Sequence, residues 1–264
     1  MSSRFDPWCP DPISVRQLSM RRYKTLLLQV LVLSFYCSSL LYAAGQWKIL
    51  RTNFYLTAQE QRAIVFTPPP ADGSKEDLAD LAVVREWEKK RTAAQCEKAN
   101  AEAGADFESF FGEISPFRKP LPSRAASALK RIKMETDGIA ADIKERYNRP
   151  RPFLRDAGLE PCLGKIGGLS YPSGHATISR MYALVLSELV PARRAEYLAR
   201  ADEIALLRVI GGAHSPADIE AGKRLAETLF PAYLESPAFR KEMEMLRGCL
   251  VLPKLRKTLN STGH

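Results

Sequence analysis

Apolar side chains recur every three to four residues over most of the chain beyond residue 74, which is the spacing of an amphipathic helix. The first run contains Leu78, Leu81 and Trp87 and follows a Ser74 segment that resembles a capping box, which predicts a helix to about Ala103. The same spacing predicts helices over residues 123–147, 176–189, 192–210 and 237–250, and another that Ser215 caps with Pro216 at its first position. No alternation of period two between hairpin turns stands out, so the pattern predicts an all-α fold with one compact helical bundle.

Prolines and glycines mark the breaks between these helices. Residues 45–73 contain Pro68-Pro69-Pro70 and Asp72-Gly73, which predicts an extended arm before the helical domain. Residues 148–152 hold two prolines and are predicted to form a non-helical loop, because proline and its predecessor disfavour the α conformation. The predicted organisation is therefore a signal or anchor segment over residues 1–44, the arm over 45–73, the helical domain over 74–250 and a tail over 251–264.

An uncharged apolar stretch over residues 25–44 follows Arg21, Arg22 and Lys24 and ends in small residues. This arrangement is typical of a secretory signal peptide, and about 20 residues also suffice for an uncleaved membrane anchor. Cleavage would make the protein periplasmic or secreted, whereas retention would leave it anchored to the cytoplasmic membrane and facing outward. A start at Met20 would give a more compact signal peptide, so we expect residues 1–19 to be dispensable or not translated.

Composition narrows the class of protein. The 264 residues carry a formal net charge of +9, and this modest excess of positive charge suits an anionic ligand or a location in the cell envelope. A mean hydropathy of -0.22 excludes a polytopic membrane protein. No basic run is interleaved with aromatic residues, which disfavours a nucleic-acid partner.

Cysteine and histidine usage bears on disulfides and metals. Cys96, Cys162 and Cys249 lie beyond the apolar stretch, and an oxidising compartment predicts one disulfide among them with one thiol left over. The spacing does not choose the pair. The three histidines of the chain are widely separated and no Cys-x-x-Cys occurs, so we expect neither a metal nor another cofactor.

Three short blocks carry residues that suit phosphate chemistry: Lys144-x6-Arg151-Pro152, Pro172-Ser173-Gly174-His175 and Arg208-x5-His214-x3-Asp218. Several cations are needed to hold a phosphate dianion, and backbone N–H groups of Ser173 and Gly174 at a helix start can face one. The two histidines offer a nucleophile and a general acid. The residue types alone do not decide which histidine attacks, but a carboxylate four residues after His214 favours that one.

In their order and spacing the three blocks resemble the motif of the type 2 phosphatidic acid phosphatase superfamily. Ser170-Tyr171 and Arg151-Pro152-Phe153 look most like the bacterial class A non-specific acid phosphatases, and the resemblance spans roughly residues 65–235. One position departs from that pattern, because the third block of the family usually begins Ser-Arg and Leu207 stands here before Arg208. A hydroxyl is therefore missing, and we expect altered turnover.

The resemblance implies a metal-independent acid phosphatase that hydrolyses phosphate monoesters of small molecules. His214 would attack phosphorus to give a phosphohistidine, Asp218 would orient His214, and His175 would protonate the leaving oxygen and then activate water. The remaining matched positions would bind phosphate, namely Lys144, Arg151, Ser173, Gly174 and Arg208.

Three other functions compete with this interpretation. A membrane-anchored lipid phosphate or pyrophosphate phosphatase would need an uncut apolar segment. A vanadate-dependent haloperoxidase would need to oxidise halide with peroxide, and this chain is short for one. A non-catalytic anion-binding protein would fail a turnover assay.

Overall fold

The computed structural model describes residues 53–251. Within them ten α-helices form: α1 (Ala58–Arg62), α2 (Lys75–Lys90), α3 (Ala93–Ala101), α4 (Phe107–Phe111), α5 (Ser123–Tyr147), α6 (Pro152–Arg155), α7 (Gly174–Leu189), α8 (Arg194–Ile210), α9 (Pro216–Glu235) and α10 (Pro237–Arg247). The same residues contain no strand, only one isolated bridge between Phe117 and Leu250. The prediction of an all-α fold is confirmed. The predicted signal or anchor, the Met20 start and most of the tail lie outside the described residues.

Helix α7 lies at the centre of the bundle. From Ala176 to Leu189 only Glu188 is exposed, as expected for a helix that is apolar on all sides. Helices α8 and α9 pack most extensively against it, and α5 covers a further side. The contact with α9 is close at Gly222, where a Cβ atom would lie 2.6 Å from the carbonyl oxygen of Ser173. Glycine therefore lets the start of α7, which carries the second block, approach the start of α9.

The described part of the predicted arm is not simply extended, because it packs on the domain and contains α1. Thr57 and Glu60 form a capping box, with the Thr57 hydroxyl accepting from the Glu60 N–H at 3.2 Å, and this stabilises the short helix. The buried Glu135 carboxylate of α5 accepts hydrogen bonds of 2.6–2.8 Å from three consecutive backbone N–H groups, those of Phe54, Tyr55 and Leu56. The carboxylate thereby satisfies polar groups that packing removes from water.

The helix predicted from Ser74 to about Ala103 is two helices. Arg91 has extended backbone angles and ends α2, and Thr92 caps α3 through a second capping box with Gln95. The Thr92 hydroxyl accepts from the Gln95 N–H at 3.2 Å, while the Gln95 side chain accepts from the Thr92 N–H at 2.9 Å. The extended backbone at Arg91 and the capping box of α3 therefore divide a segment whose apolar spacing is continuous.

Cys96 of α3 forms a disulfide with Cys162, with the two Cα atoms 5.9 Å apart. Cys249 is a buried free thiol. One disulfide and one remaining thiol were expected, and the structure identifies the pair. The bond fastens α3 to the glycine-rich loop that leads into α7. None of the helices within residues 53–251 has the length and hydropathy that a bilayer crossing requires.

Candidate active site

The three sequence blocks meet at the N-terminal end of α7, and each contacts the other two. Lys144 of the first block donates to the Pro172 carbonyl oxygen of the second at 2.5 Å. Arg151 of the first block lies 3.1 Å from His214 of the third. The Ser173 N–H of the second block donates to the Asp218 carbonyl oxygen of the third at 2.9 Å. All three blocks therefore build one site.

The turn between α8 and α9 positions His214. The backbone N–H groups of Ala213 and His214 both donate to the Arg208 carbonyl oxygen, at 3.0 and 3.2 Å. Gly212 has a φ of +78°, and a Cβ atom there would lie 2.9 Å from Pro161 Cα. The turn thus needs glycine for its left-handed backbone as well as for space.

The two ring nitrogens of His214 face opposite charges. Nε2 lies 3.1 Å from Arg151 Nη1, whereas Nδ1 lies 3.4 Å from Ser170 Oγ and 3.7 Å from Asp218 Oδ2. Asp218 Oδ2 accepts shorter hydrogen bonds from Ser170 Oγ at 2.6 Å and from the Ser215 N–H at 2.8 Å. The carboxylate is therefore within ion-pair reach of the ring but firmly bound by other donors.

Backbone carbonyl groups hold the cations of the first block. Arg151 donates to the Gly167 carbonyl oxygen through Nε at 3.1 Å and Nη2 at 3.0 Å, and to the Ala213 carbonyl oxygen through Nη1 at 3.0 Å. Lys144 donates to the Leu169 carbonyl oxygen at 2.8 Å. Among the described residues neither cation has a carboxylate partner, so both positive charges are left to attract an anion. Burial and the nearby Arg151 lower the pKa of Lys144 to about 8.

Helix α3 supports the other side of the site through its backbone. Arg208, at the end of α8, donates to the Ala99 carbonyl oxygen at 3.3 Å, and its Nε is buried with no partner among the described residues. His175 Nε2 lies 3.2 Å from the Glu102 carbonyl oxygen, and its ring packs 5.8 Å from that of Phe110. Burial, then the Arg151 charge, lowers the pKa of Arg208 to about 10.

The backbone N–H of Ser173 does not face the site, contrary to the expectation from the sequence. It donates to Asp218, because the close approach of α9 at Gly222 brings that carbonyl within reach. The Ser173 hydroxyl caps α7 and accepts from the Ala176 N–H at 3.4 Å. The N–H groups of Gly174 and His175, the first two of α7, have no acceptor within residues 53–251. These two are the amides that could meet an anion.

Both histidines are neutral at ordinary pH in the structure. Burial, with the Lys144 and Arg151 charges, lowers the pKa of His214 to about 3 against the opposing effect of the Asp218 carboxylate. Burial, Arg208 and His214 lower the pKa of His175 to about 3. Within residues 53–251 the two rings differ because His214 has a carboxylate within ion-pair distance and His175 does not.

Leu207, which replaces the serine that the resemblance leads one to expect, faces away from polar groups. It is buried in a small apolar cluster with Ala99 and Ile210, against Trp87 and Leu163. Its side chain packs α8 against α3, the helix whose carbonyl groups contact Arg208 and His175. The position therefore has a packing role here.

Sequence reasoning missed a buried ion network behind Asp218. Arg149 Nη1 donates to Asp218 Oδ1 at 2.9 Å, and its Nη2 donates to Asp77 at 2.7 Å and Asp80 at 3.2 Å in α2. Arg155 pairs with the same oxygen of Asp77 that Arg149 contacts. The sequence offered one sign of this network, the Arg149-x-Arg151 spacing. Two arginines so close together in one loop are expected to bind different groups. Its acidic partners lie about 70 residues away, and nothing in the local sequence indicates them.

No group of three His, Cys, Asp or Glu side chains within residues 53–251 could hold a metal ion. Lys144, Arg151 and Arg208 bring positive charge to the site. Two buried arginines, the half-buried Lys144, two amides without an acceptor and two histidines therefore lie together at one end of a helical bundle.

The model of the PAP2 superfamily matches residues 134–240, which contain all three blocks. A non-specific acid phosphatase of Providencia stuartii is 31% identical over 194 residues, 67% of this chain and 75% of that protein. An acid phosphatase of Zymomonas mobilis is 37% identical over 134 residues, 48% of this chain and 49% of that protein. A lipid A 1-phosphatase of Rhizobium etli is 33% identical over 90 residues, 32% of this chain and 39% of that protein.

The chain belongs to the PAP2 superfamily. It spans three quarters of the Providencia stuartii acid phosphatase and about half the length of the Zymomonas mobilis one.

Proposed function

We propose that the protein is a metal-independent acid phosphatase that hydrolyses phosphate monoesters of small molecules through a phosphohistidine on His214. The observation that carries the proposal is the position of His214 Nε2, 3.1 Å from the Arg151 guanidinium, with a carboxylate on the other side of the ring. An anion held by Arg151 would lie directly beside this nitrogen. The names of the acid phosphatase relatives support the same activity.

In the first step, neutral His214 attacks phosphorus through Nε2 and the bond from phosphorus to the ester oxygen breaks. His175 gives its proton to that oxygen, so an alcohol leaves and His175 becomes neutral. Asp218 beside Nδ1 stabilises the positive charge that forms on His214. Lys144, Arg151, Arg208 and the free amides of α7 bind the phosphoryl oxygens in the transition state.

In the second step, His175 removes a proton from water as the water oxygen attacks phosphorus. The bond between phosphorus and His214 breaks, inorganic phosphate is released, and His175 is protonated again for the next turnover. For His175 to act as an acid, its pKa must rise from the value that burial and Arg208 give it. A bound phosphate dianion would raise it, because it opposes the nearby positive charges.

We further propose that the protein acts outside the cytoplasmic membrane. The disulfide of Cys96 with Cys162 supports this location, because such bonds persist in oxidising compartments. Residues 25–44 would provide the export signal.

The test is hydrolysis of phosphate monoesters, phosphodiesters and lipid phosphates, with and without EDTA. We expect turnover of monoesters that survives the chelator and that vanadate, a mimic of five-coordinate phosphorus, blocks. Loss of activity with EDTA that a divalent ion restores would refute the metal-independent mechanism. An absence of turnover on every substrate would favour a non-catalytic anion-binding protein.

A second candidate function is hydrolysis of a lipid phosphate, and the match to a lipid A 1-phosphatase favours it. The same panel separates the two functions, provided the lipid substrates are presented in detergent. A kcat/KM for lipid phosphates above that for soluble monoesters would select the lipid phosphatase, together with retention of residues 25–44 in the mature protein.

A further inference from the structure

Arg149 links the Asp218 carboxylate to two acidic residues of α2. One end of its guanidinium donates to Asp218 Oδ1 at 2.9 Å, and the other donates to Asp77 Oδ1 at 2.7 Å and to Asp80 Oδ2 at 3.2 Å. Only 5% of the Arg149 side chain is exposed. It is therefore a fully engaged, buried cation whose geometry spans two helices.

This contact occupies the oxygen of Asp218 that does not face His214. Oδ2, the oxygen near the ring, accepts from Ser170 Oγ at 2.6 Å and from Ser215 at 2.8 Å, and it stays 3.7 Å from His214 Nδ1. Arg149 and the two serines thus hold the carboxylate from three directions. They fix its distance from the histidine and also draw on its negative charge.

The charges around Arg149 are nearly balanced. Three carboxylates, those of Asp77, Asp80 and Asp218, meet two guanidinium groups, those of Arg149 and Arg155, so the cluster carries a net charge of -1. Asp80 is also fixed by the Ala217 N–H at 3.1 Å and by Ser215 Oγ at 3.0 Å. Without Arg149 the net charge would become -2 in a buried region beside His214.

His214 is exposed to charges from several elements. Lys144 of α5, Arg151 before α6 and His175 of α7 face it with positive or titratable groups, and Asp218 of α9 is the carboxylate that faces it. The first three disfavour a proton on the ring and the last favours one. Anything that strengthens the Asp218 charge would therefore shift His214 toward its protonated form, which cannot attack phosphorus.

We propose that Arg149 is a positioning residue that fixes the Asp218 carboxylate and restrains it from holding a proton on His214. This rests on the proposed role of His214 as the nucleophile. Within residues 53–251 Arg149 forms no hydrogen bond to His214 or to the cations of the site. Its guanidinium acts on the ring through Asp218, which it contacts directly and through the Ser215 hydroxyl, 3.4 Å from Nη1. Its function is to hold the Asp218 carboxylate at a fixed distance from His214 and to limit the negative charge that acts on the ring.

The test is the pKa of His214 in the free protein, measured by NMR titration of histidine-labelled chain, which contains only three histidines. Arg149→Met removes the contact to Asp218, and we expect the pKa of His214 to rise by about one unit or more. Arg155→Met is the matched control, because Arg155 is equally buried and also pairs with Asp77 but does not contact Asp218. We expect it to shift the His214 pKa by less than about 0.3 units.

Two outcomes overturn the proposal. One is a His214 pKa in Arg149→Met that stays within about 0.3 units of the wild type, and the other is an equal shift in both variants. Because this readout needs no turnover, it is independent of the proposed function. A wild-type protein that hydrolyses no phosphate ester would refute the proposed function, whatever the titration shows.

Arg149→Met could fail to fold, because it leaves buried carboxylates unpaired. The double variant Arg149→Met with Asp77→Asn restores the net charge of -1 in the cluster, and Asp77→Asn alone is its reference. The double variant should still raise the His214 pKa relative to that reference, and an unchanged pKa would overturn the proposal.

Arg149→Lys keeps the charge but cannot bridge Asp218 and α2. Its His214 pKa should stay near that of the wild type while kcat falls at least about tenfold, or 1.4 kcal/mol, with KM little changed. A wild-type kcat would show that fixing Asp218 is unimportant and would count against the positioning role.

Discussion

The two histidines of the candidate site are held by different kinds of support. Charged side chains surround His214, with Asp218 beside one ring nitrogen and Arg151 beside the other. Arg149 in turn connects Asp218 to the acidic residues of α2. His175 is supported by the backbone, since its ring contacts the carbonyl group of Glu102, the residue at which α3 ends, and a disulfide fastens that helix. The Asp218 carboxylate can stabilise a positive charge on His214 with a full negative charge, whereas the carbonyl group that orients His175 carries only a partial one.

This difference matches the two proposed roles. A histidine that carries the phosphoryl group becomes cationic during the reaction and gains from a permanent carboxylate nearby. A histidine that alternates between acid and base must give up its proton easily, so a strong carboxylate partner would hinder it. The comparison leads to four predictions. The first replaces the two histidines, the next two change the groups that hold them in place, and the last measures the pKa of each ring.

Replacing each histidine should separate the two sides most strongly. His214→Ala removes the nucleophile, so we expect no phosphoenzyme with any substrate and a rate loss of about 10⁴-fold or more. His175→Ala should lose most activity on alkyl phosphates, whose leaving groups need a proton, and least on nitrophenyl phosphate. That variant should accumulate phosphohistidine, because water activation is also slowed. Quenched-flow trapping with labelled substrate measures both effects.

The assignment would be reversed by label trapped on His214→Ala. It would also fail if His175→Ala lost activity equally on both classes of leaving group.

Replacing one buried carboxylate near each histidine tests whether that histidine depends on a side-chain charge or on a backbone carbonyl group. Asp218→Asn removes charge that acts through the side chain, and kcat should fall by roughly 10²–10³-fold, less than in His214→Ala. Glu102→Gln changes a side chain that pairs with Arg200 and leaves the carbonyl group at His175 in place. Its kcat should fall by less than about tenfold, or 1.4 kcal/mol. Equal losses in the two variants would show that the Glu102 side chain contributes directly.

Sequence reasoning succeeded where the signal was local. The spacing of apolar residues predicted α5 with its observed ends, and Ser215 with Pro216 predicted the start of α9. The break before Thr92 was missed although its capping box with Gln95 is readable, because a continuous apolar period was given more weight. The partners of Arg149 could not be predicted, because ion pairs between residues far apart in the chain do not change the local sequence pattern. The Ser173 amide was assigned wrongly because only the packing of α9 on α7 reveals its acceptor.

The disulfide fastens α3, the helix that ends at the carbonyl group beside His175. Its loss should therefore affect the role of His175 more than that of His214. In Cys96→Ser with Cys162→Ser, opening a link across 66 residues should lower the free energy of unfolding by about 4 kcal/mol on chain entropy alone. Activity should fall a few-fold on alkyl phosphates and less on nitrophenyl phosphate, because α3 no longer holds His175 as firmly. Denaturant unfolding and the ratio of the two rates are the measurements.

Cys249→Ser is the control, because this buried thiol is not linked to the site. Its rate ratio should equal that of the wild type. A ratio that also stays unchanged in the double cysteine variant would mean that α3 keeps its place without the bond.

The smallest expected effect is the change in the free energy of unfolding with pH that protonation of the two histidines causes. Burial lowers the folded-state pKa of both histidines to about 3, below the value of about 6.5 expected in the unfolded chain. Between these pH values the unfolded chain binds more protons, so the free energy of unfolding should decrease as the pH falls through this window. Inorganic phosphate opposes the cations near both rings and should offset this loss, stabilising the protein more at pH 5 than at pH 7.5.

The rings should nevertheless respond unequally to phosphate. His214 already has a carboxylate 3.7 Å away, whereas His175 has none within ion-pair distance among the described residues, and Arg208 disfavours its protonation. Bound phosphate would therefore bring a full negative charge close to His175, which has none nearby among the described residues. The pKa of His175 should rise more than that of His214. NMR titration of both rings with and without phosphate measures this difference. An equal rise, or a larger one at His214, would contradict the view that only one side of the site supplies its own negative charge.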